Sequence, residues 1–348
     1  MYVKKNFNVK SLLEFSGFHM IWLSAWACAT AAFYTFFDFE WMQIPWLPLS
    51  ILGTAVAFYI GFKNNSAYDR LWEARKIWGA IVNTSRMWGN AVKGFVGNQF
   101  RESPASDHEV YVVWKELIYR HIAWLYVLRD QLLIPTQWEH IRPNGHKWAM
   151  QYFEKRRNHY GIGLLGDEVT QYELNKLLDE KELQEVIDFQ NTATQLIHNQ
   201  GQALKDLRAQ DLIDDFRHME MQQLLNELYT QQGKCERIKK FPLPRQYASM
   251  SFVFVGIFIF LLPFGLIPAF QALSPEWGPW IAAPFVALVG WVYLIMELVG
   301  DYSENPFEGM GNDVPMLSLT RTIEIDLREM LGEAEVPEAI KPVNNVLM

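Results

Sequence analysis

Apolar positions run almost unbroken through four stretches of the chain, Gly17–Phe37, Trp46–Phe62, Tyr247–Phe270 and Trp280–Val299. Each approaches the roughly 20 residues that a helix needs to span a bilayer. Between the second and third stretches the pattern changes: apolar residues recur three or four apart among charges, as in amphipathic helices. The change falls inside one segment. Pro48 to Asn65 (PLSILGTAVAFYIGFKNN) is membrane-grade at its start, and Ser66 to Arg86 (SAYDRLWEARKIWGAIVNTSR) continues it as a charged, Trp-rich helix. Nothing between Pro48 and Pro104 forces a break. A single helix of roughly 50 residues would extend about 75 Å, of which a hydrocarbon core takes up only ~30 Å. The pattern therefore predicts a chain that is half embedded and half cytosolic.

The polar middle reads as helical too. Glu109–Leu133 (EVYVVWKELIYRHIAWLYVLRDQLL) has the length of a further span, but Lys115, Glu116, Arg120 and His121 at its centre would be costly in lipid. It is predicted as an amphipathic cytosolic helix. Pro135 and Pro143-Asn144-Gly145 bound one loop and Gly161–Gly166 another. Glu168–Gln200 and Gln202–Gln232 then alternate apolar and charged residues at helical spacing. No period-2 strand pattern occurs, so the expected class is all-α, with four transmembrane helices and a cytosolic helical bundle. The expected division is 1–63 with the first two spans, 64–245 cytosolic, 246–300 with the last two spans, and 301–348 as a cytosolic C-terminal segment.

Charge fixes the expected orientation. Glu297 is the only Lys, Arg, Asp or Glu in the four stretches. Lys4, Lys5 and Lys10 precede the first, Lys63, Arg70, Arg75 and Lys76 follow the second, and Lys239, Lys240 and Arg245 precede the third. The connecting segments Phe37–Pro45 and Gln271–Pro279 hold only the acids Asp38, Glu40 and Glu276. By the positive-inside rule both termini and the large middle region face the cytoplasm. Trp41, Trp46, Trp277 and Trp280 then fall at the outer interface, where amphipathic rings prefer to sit. A cleaved signal peptide is the rival reading of the first stretch, through Ala27-Cys28-Ala29. The basic start is too long for it, His19 and Ser24 interrupt the apolar run, and aromatics continue beyond the site.

The whole chain of 348 residues carries a net charge of −8, with mean hydropathy close to zero. An acidic balance without a basic stripe argues against nucleic acid. Cys28 and Cys235 lack paired spacing, which excludes a zinc site, and a disulfide between a span and the reducing cytosol is not expected. There is no HExxH, CxxC or phosphate-cradling glycine loop. Asp214-Asp215 and Asp179-Glu180-Lys181-Glu182 read as solvated acidic faces rather than metal sites. Gly309–Asp313 (GMGND) has a turn composition. No enzyme, cofactor or metal is indicated.

Read together, SILG (Ser50–Gly53), GFKNNSAYDRLWEARKIWG (Gly61–Gly79), CERIKKFPLPRQYA (Cys235–Ala248), LLPFGL (Leu261–Leu266) and ENPFEGMGNDVP (Glu304–Pro315) resemble the bestrophins, most of all their bacterial branch. The motifs stand in the family's order and spread over most of the chain. The resemblance implies a homopentameric ion channel in the cell's inner membrane, with one pore on the five-fold axis. Its partners would be its own copies, permeant inorganic ions and the lipid bilayer. It also implies a narrow neck on the second span, at positions that map through SILG and the following GF onto Thr54, Phe58 and Phe62. A spacing of four does keep these side chains on one helix face. Gly53, Ala57 and Gly61 beside them are small enough for close helix approach. Without the resemblance, the two aromatics would read as packed against other spans or lipid.

Relatives commonly carry apolar residues at all three levels, so Thr54 is a departure. Five hydroxyls there could serve cations through lone pairs or anions through O–H. The family resemblance favours chloride and other anions, while bacterial members that pass monovalent cations keep that alternative open. A second constriction, at the cytosolic exit, maps near Phe216, with Met219 one turn away on the same face. Animal members are gated by calcium through an acidic cluster after NPF. Here only Glu308 and Asp313 follow, too few for a cation that takes six to eight oxygens. The competing function is a membrane-anchored helical scaffold without conductance, for which Trp72, Trp78 and Trp88 could supply a docking surface.

Overall fold

The structure is a computed structural model that describes residues 1–6, 9–37, 43–101, 105–141, 147–159 and 173–348. The predicted outer segment around Asp38, Glu40 and Trp41, the Pro143-Asn144-Gly145 turn and the Gly161–Gly166 loop lie outside those residues. The chain is helical, as its periodicity predicts: α1 (Val9–Phe36), α2 (Trp46–Phe95), α3 (Asp107–Leu133), α4 (Lys147–His159), α5 (Glu180–Ile187), α6 (Thr192–Ala209), α7 (Asp215–Lys240), α8 (Arg245–Gln271), α9 (Gly278–Asp301) and α10 (Met316–Leu331). Among the described residues, extended pairing is confined to isolated bridges from Val346 to Tyr2 and Val343. The long helix expected after Pro48 is present, because α2 runs unbroken for 50 residues.

The chain divides into two compact units, and α2 contributes to both. One unit comprises 4–70 and 242–304. Its core is aliphatic and aromatic: Leu23, Ala27 and Ala31 from α1, Val56 and Ile60 from α2, Val255, Phe258 and Leu262 from α8, and Val286, Ala287 and Leu294 from α9. Helix α9 packs against both α1 and α8. It comes close to α1 at Gly290, where a Cβ would lie 3.2 Å from a methyl of Leu23. Pro263 and Pro268 sit inside α8 without ending it, as membrane helices tolerate. By length and hydropathy α2, α8 and α9 qualify as spanning helices. Helix α1 has the length, at 28 residues, but Ser16, His19, Ser24 and two Trp lower its hydropathy.

The other unit comprises 1–3, 71–241 and 305–348. Its middle is α3, which packs on α6, α7 and α10. The sequence pattern suggests an amphipathic helix here, whereas residues 121–129 are buried on every side. Their polar groups are satisfied internally, which makes that burial affordable. The Trp124 indole N–H donates to Gln232 Oε1 at 2.9 Å, the Tyr126 hydroxyl donates to Glu324 Oε2 at 2.7 Å, and His121 Nε2 lies 2.9 Å from Ser85 Oγ. Ser106 and Glu109 form a reciprocal capping box at the start of α3, a pattern readable in the sequence as S-x-x-E.

Two sequence expectations change. The glycine at 201 does not separate two helices: α6 passes through it, and a Cβ there would lie 3.5 Å from Gln222 Oε1 of α7. The chain breaks after Ala209 instead, with Asp211 at φ 55° and Asp214 capping α7. The acidic runs are not merely solvated. Asp179 and Asp214 cap α5 and α7, and Glu182 holds the Arg120 guanidinium by two hydrogen bonds of 2.5 and 3.0 Å.

Candidate functional site

Helix phase decides which residues of α2 are free to face outward. At about 100° per residue, Gly53, Val56, Ile60, Lys63 and Ala67 share one side, and Thr54, Phe58 and Phe62 lie on the other. The first set is buried. The second is open: Phe58 is 69% and Phe62 56% exposed, with Thr54 exposed above them. The three positions singled out from the sequence therefore do form one face of the first part of α2.

The small residues beside them have separate roles. Gly53 admits the Phe258 ring of α8, whose edge would lie 2.9 Å from a Cβ there. Ala57 is half-buried, and Gly61 lies on the open face with nothing within 4 Å of a Cβ. The rings of Phe58 and Phe62 contact each other. The Thr54 hydroxyl donates to the Ser50 carbonyl at 2.9 Å. Its proton is thus engaged with the backbone, and the oxygen presents lone pairs outward.

Behind this face α2 is held by polar contacts. Lys63 and Glu297 form a buried ion pair, and Ser251 of α8 donates to the second oxygen of the same carboxylate. Asn64 donates to the Met296 carbonyl at 2.9 Å, and the Tyr59 hydroxyl donates to the Gln246 carbonyl at 3.2 Å. The pattern of charge alone left Glu297 without a partner. The missed signal was that a carboxylate in a span requires one, and that Lys63 closes the span containing the predicted face.

Phe216 and Met219 lie in the first turns of α7, 82% and 71% exposed. Between them Arg217 turns away, donating to the Phe95 carbonyl at 3.0 Å and Gln99 Oε1 at 2.7 Å. The two apolar side chains are left outward together.

The segment Glu304–Pro315 is polar yet almost wholly buried. Glu304 pairs with Arg245 at 3.0 Å; burial pushes its carboxyl up from the usual range, and the guanidinium opposes that. In the other unit the two carboxylates after NPF are each occupied. Glu308 accepts from the backbone N–H of His140 and Ile141 and lies 2.9 Å from His140 Nδ1. Asp313 Oδ2 accepts from Gly309 and Met310 N–H at 2.7 and 2.9 Å. Burial pushes Asp313 up to about 7. A further buried carboxylate, Glu139, is paired with Lys239 at 2.5 Å; burial raises the acid and lowers the amine while each partner opposes the shift. Among the described residues no group of three or more His, Cys, Asp or Glu side chains is placed to hold a metal ion.

Comparison with known proteins covers nearly the whole chain. Residues 14–329 match the family described as Bacterial/Fungal Bestrophin protein. The voltage-dependent anion channel-forming protein YneE of Escherichia coli is 27% identical over 296 residues, covering 85% of this chain and 80% of that protein. A voltage-dependent anion channel-forming protein of Mesorhizobium japonicum is 25% identical over 287 residues, covering 82% and 75%. The crystal structure of a bacterial bestrophin homologue from Klebsiella pneumoniae superposes with a TM-score of 0.71 at 20% identity, over 91% of this chain and 99% of that one. At that identity the likeness speaks for the fold.

Proposed function

Because this chain belongs to the bacterial and fungal bestrophin family, we propose that it is the subunit of an ion channel of the bestrophin type and not an enzyme. Small monovalent ions are its cargo, with anions first, as the names of its relatives in Escherichia coli and Mesorhizobium japonicum state of those proteins. Five copies surround one pore, each crosses the inner membrane four times through α1, α2, α8 and α9, and both termini face the cytoplasm. The observation that carries this reading is the open face of α2. Two large aromatic side chains one turn apart stand exposed on a helix whose other side is packed. In a symmetric ring such a face closes on itself.

Thr54, Phe58 and Phe62 are then successive levels of the neck, and Phe216 with Met219 narrows the cytosolic exit. The phenylalanine levels are apolar constrictions that gate by dewetting, without a ring of fixed charge. At the outer level the Thr54 oxygen offers lone pairs, which suits a cation. That level therefore weakens anion preference instead of creating it.

Purified protein in planar bilayers under a salt gradient should conduct, with a reversal potential on the anion side. The detergent-solubilised complex should have the mass of five copies. Silence of both the wild type and the Phe58→Ala/Phe62→Ala variant, across voltage and pH, would overturn the channel reading. A monomer would overturn the pentamer.

A further inference from the structure

An ion pair buried in a bundle of spanning helices is a costly way to hold it together, because each charge gives up its hydration. The Lys63 and Glu297 side chains are only 1% and 2% exposed. Their carboxylate also receives the Ser251 hydroxyl, so one group gathers α2, α8 and α9. The ties around it run the same way. Asn64 donates to the Met296 carbonyl, and Gly300 has no Cβ because the Asn64 amide occupies that space. Nearer the start of α2, the Tyr293 hydroxyl donates to the Gly53 carbonyl at 3.1 Å.

Apolar contacts resist separation but tolerate small rotations, whereas a hydrogen-bonded ion pair is directional. These ties sit on the flank of α2 turned away from the ring of Phe58; Lys63 lies about 140° round the helix from it. Lys63 is also the next residue after Phe62. The backbone that aims the innermost ring is the backbone the pair holds.

We infer that Lys63, Glu297 and Ser251 form a positioning lock for the neck: they fix the rotation of α2 so that Phe58 and Phe62 point at the passage. The inference rests on the channel reading. The lock acts through the rings without touching the permeating ion.

The test is a cycle of variants read as single-channel conductance in planar bilayers. Glu297→Gln is introduced into the wild type and into the Phe58→Ala/Phe62→Ala background, and pentamer mass is checked for each. A lock that acts through the neck should change conductance by about threefold or more in the wild type, within the range of coupling between linked groups. The same variant should change it little once both rings are gone. Equal changes in the two backgrounds, or none in either with the pentamer intact, overturn the lock while leaving a conducting wild type as a channel. Should Glu297→Gln fail to assemble, Ser251→Ala removes a single hydroxyl from the carboxylate and carries the same comparison: a change confined to the wild-type background supports the lock, and equal or absent changes overturn it. If the wild type and the neck variant are both silent, the channel reading falls and the lock with it.

Discussion

Phe58 and Phe62 meet edge to face, with ring centroids 4.7 Å apart and planes at 84°. A positive ring edge against a negative ring face is worth about 0.5–1.5 kcal/mol beyond burial. In the proposed neck the two levels are therefore one mechanical element, since removing either ring frees the other to swing. Conductance should rise in Phe58→Ala and in Phe62→Ala, and the double variant should rise by less than the product of the two. Single-channel recording decides it. A product that holds would mean the rings act as independent barriers.

Thr54→Val keeps the branched shape and removes the oxygen. With the hydroxyl proton committed to Ser50, the loss is of outward lone pairs, so cation permeability relative to anion permeability should fall. Thr54→Ile should add bulk at the same level and lower total conductance. Reversal potentials under a salt gradient report the first effect and current amplitude the second.

Lys239→Met leaves Glu139 buried with no cation beside it. Breaking a buried pair from one side costs about 3–5 kcal/mol, much more than replacing both partners. The single variant should melt well below wild type in detergent, and Lys239→Met/Glu139→Gln should recover much of the loss. A double variant no more stable than the single would show that the pair is not what holds that site.

Asp313 is held at about 7, against an ordinary 3.8, because burial penalises its charge. Between those values the folded chain keeps a proton that the unfolded chain has released, so the group's contribution to stability falls as pH rises from about 4 to about 7. The nearby Met1 amine is held down at about 6 by burial and titrates with the opposite sign between about 6 and 8. The informative quantity is the difference between wild type and Asp313→Asn, whose side-chain oxygen still accepts the Gly309 and Met310 N–H groups. Relative to that variant, wild type should lose stability across pH 4 to 7. Parallel melting curves over that range would show that Asp313 does not titrate there.

The length of α2, the apolar helices and the shared face of Thr54, Phe58 and Phe62 were all legible in the sequence, because each follows from periodicity within one element. What periodicity does not carry is the partner of a side chain. Lys63 and Glu297 are 234 residues apart, and hydropathy registers the first as a flanking charge and the second as a blemish in a span. Gly201 misled for a related reason. A glycine in a polar helical pattern reads as a break, yet α6 passes straight through it, and the break came where Asp214 supplies a cap. Helix α3 keeps its amphipathic pattern only in its first half, where Lys115 and Glu116 are exposed; from residue 121 every side is buried, and His121 and the Trp124 indole each meet a buried partner.

The separation between Lys63 and Glu297 also has a consequence in time. At a synthesis rate of about 5–20 residues per second, 234 residues take roughly 10 to 50 s to emerge. For that interval the amine of Lys63 is in place and its carboxylate does not yet exist. The early helices can hold only a provisional position until α9 arrives, and a chain that stops short of Glu297 carries an uncompensated cation into its bundle.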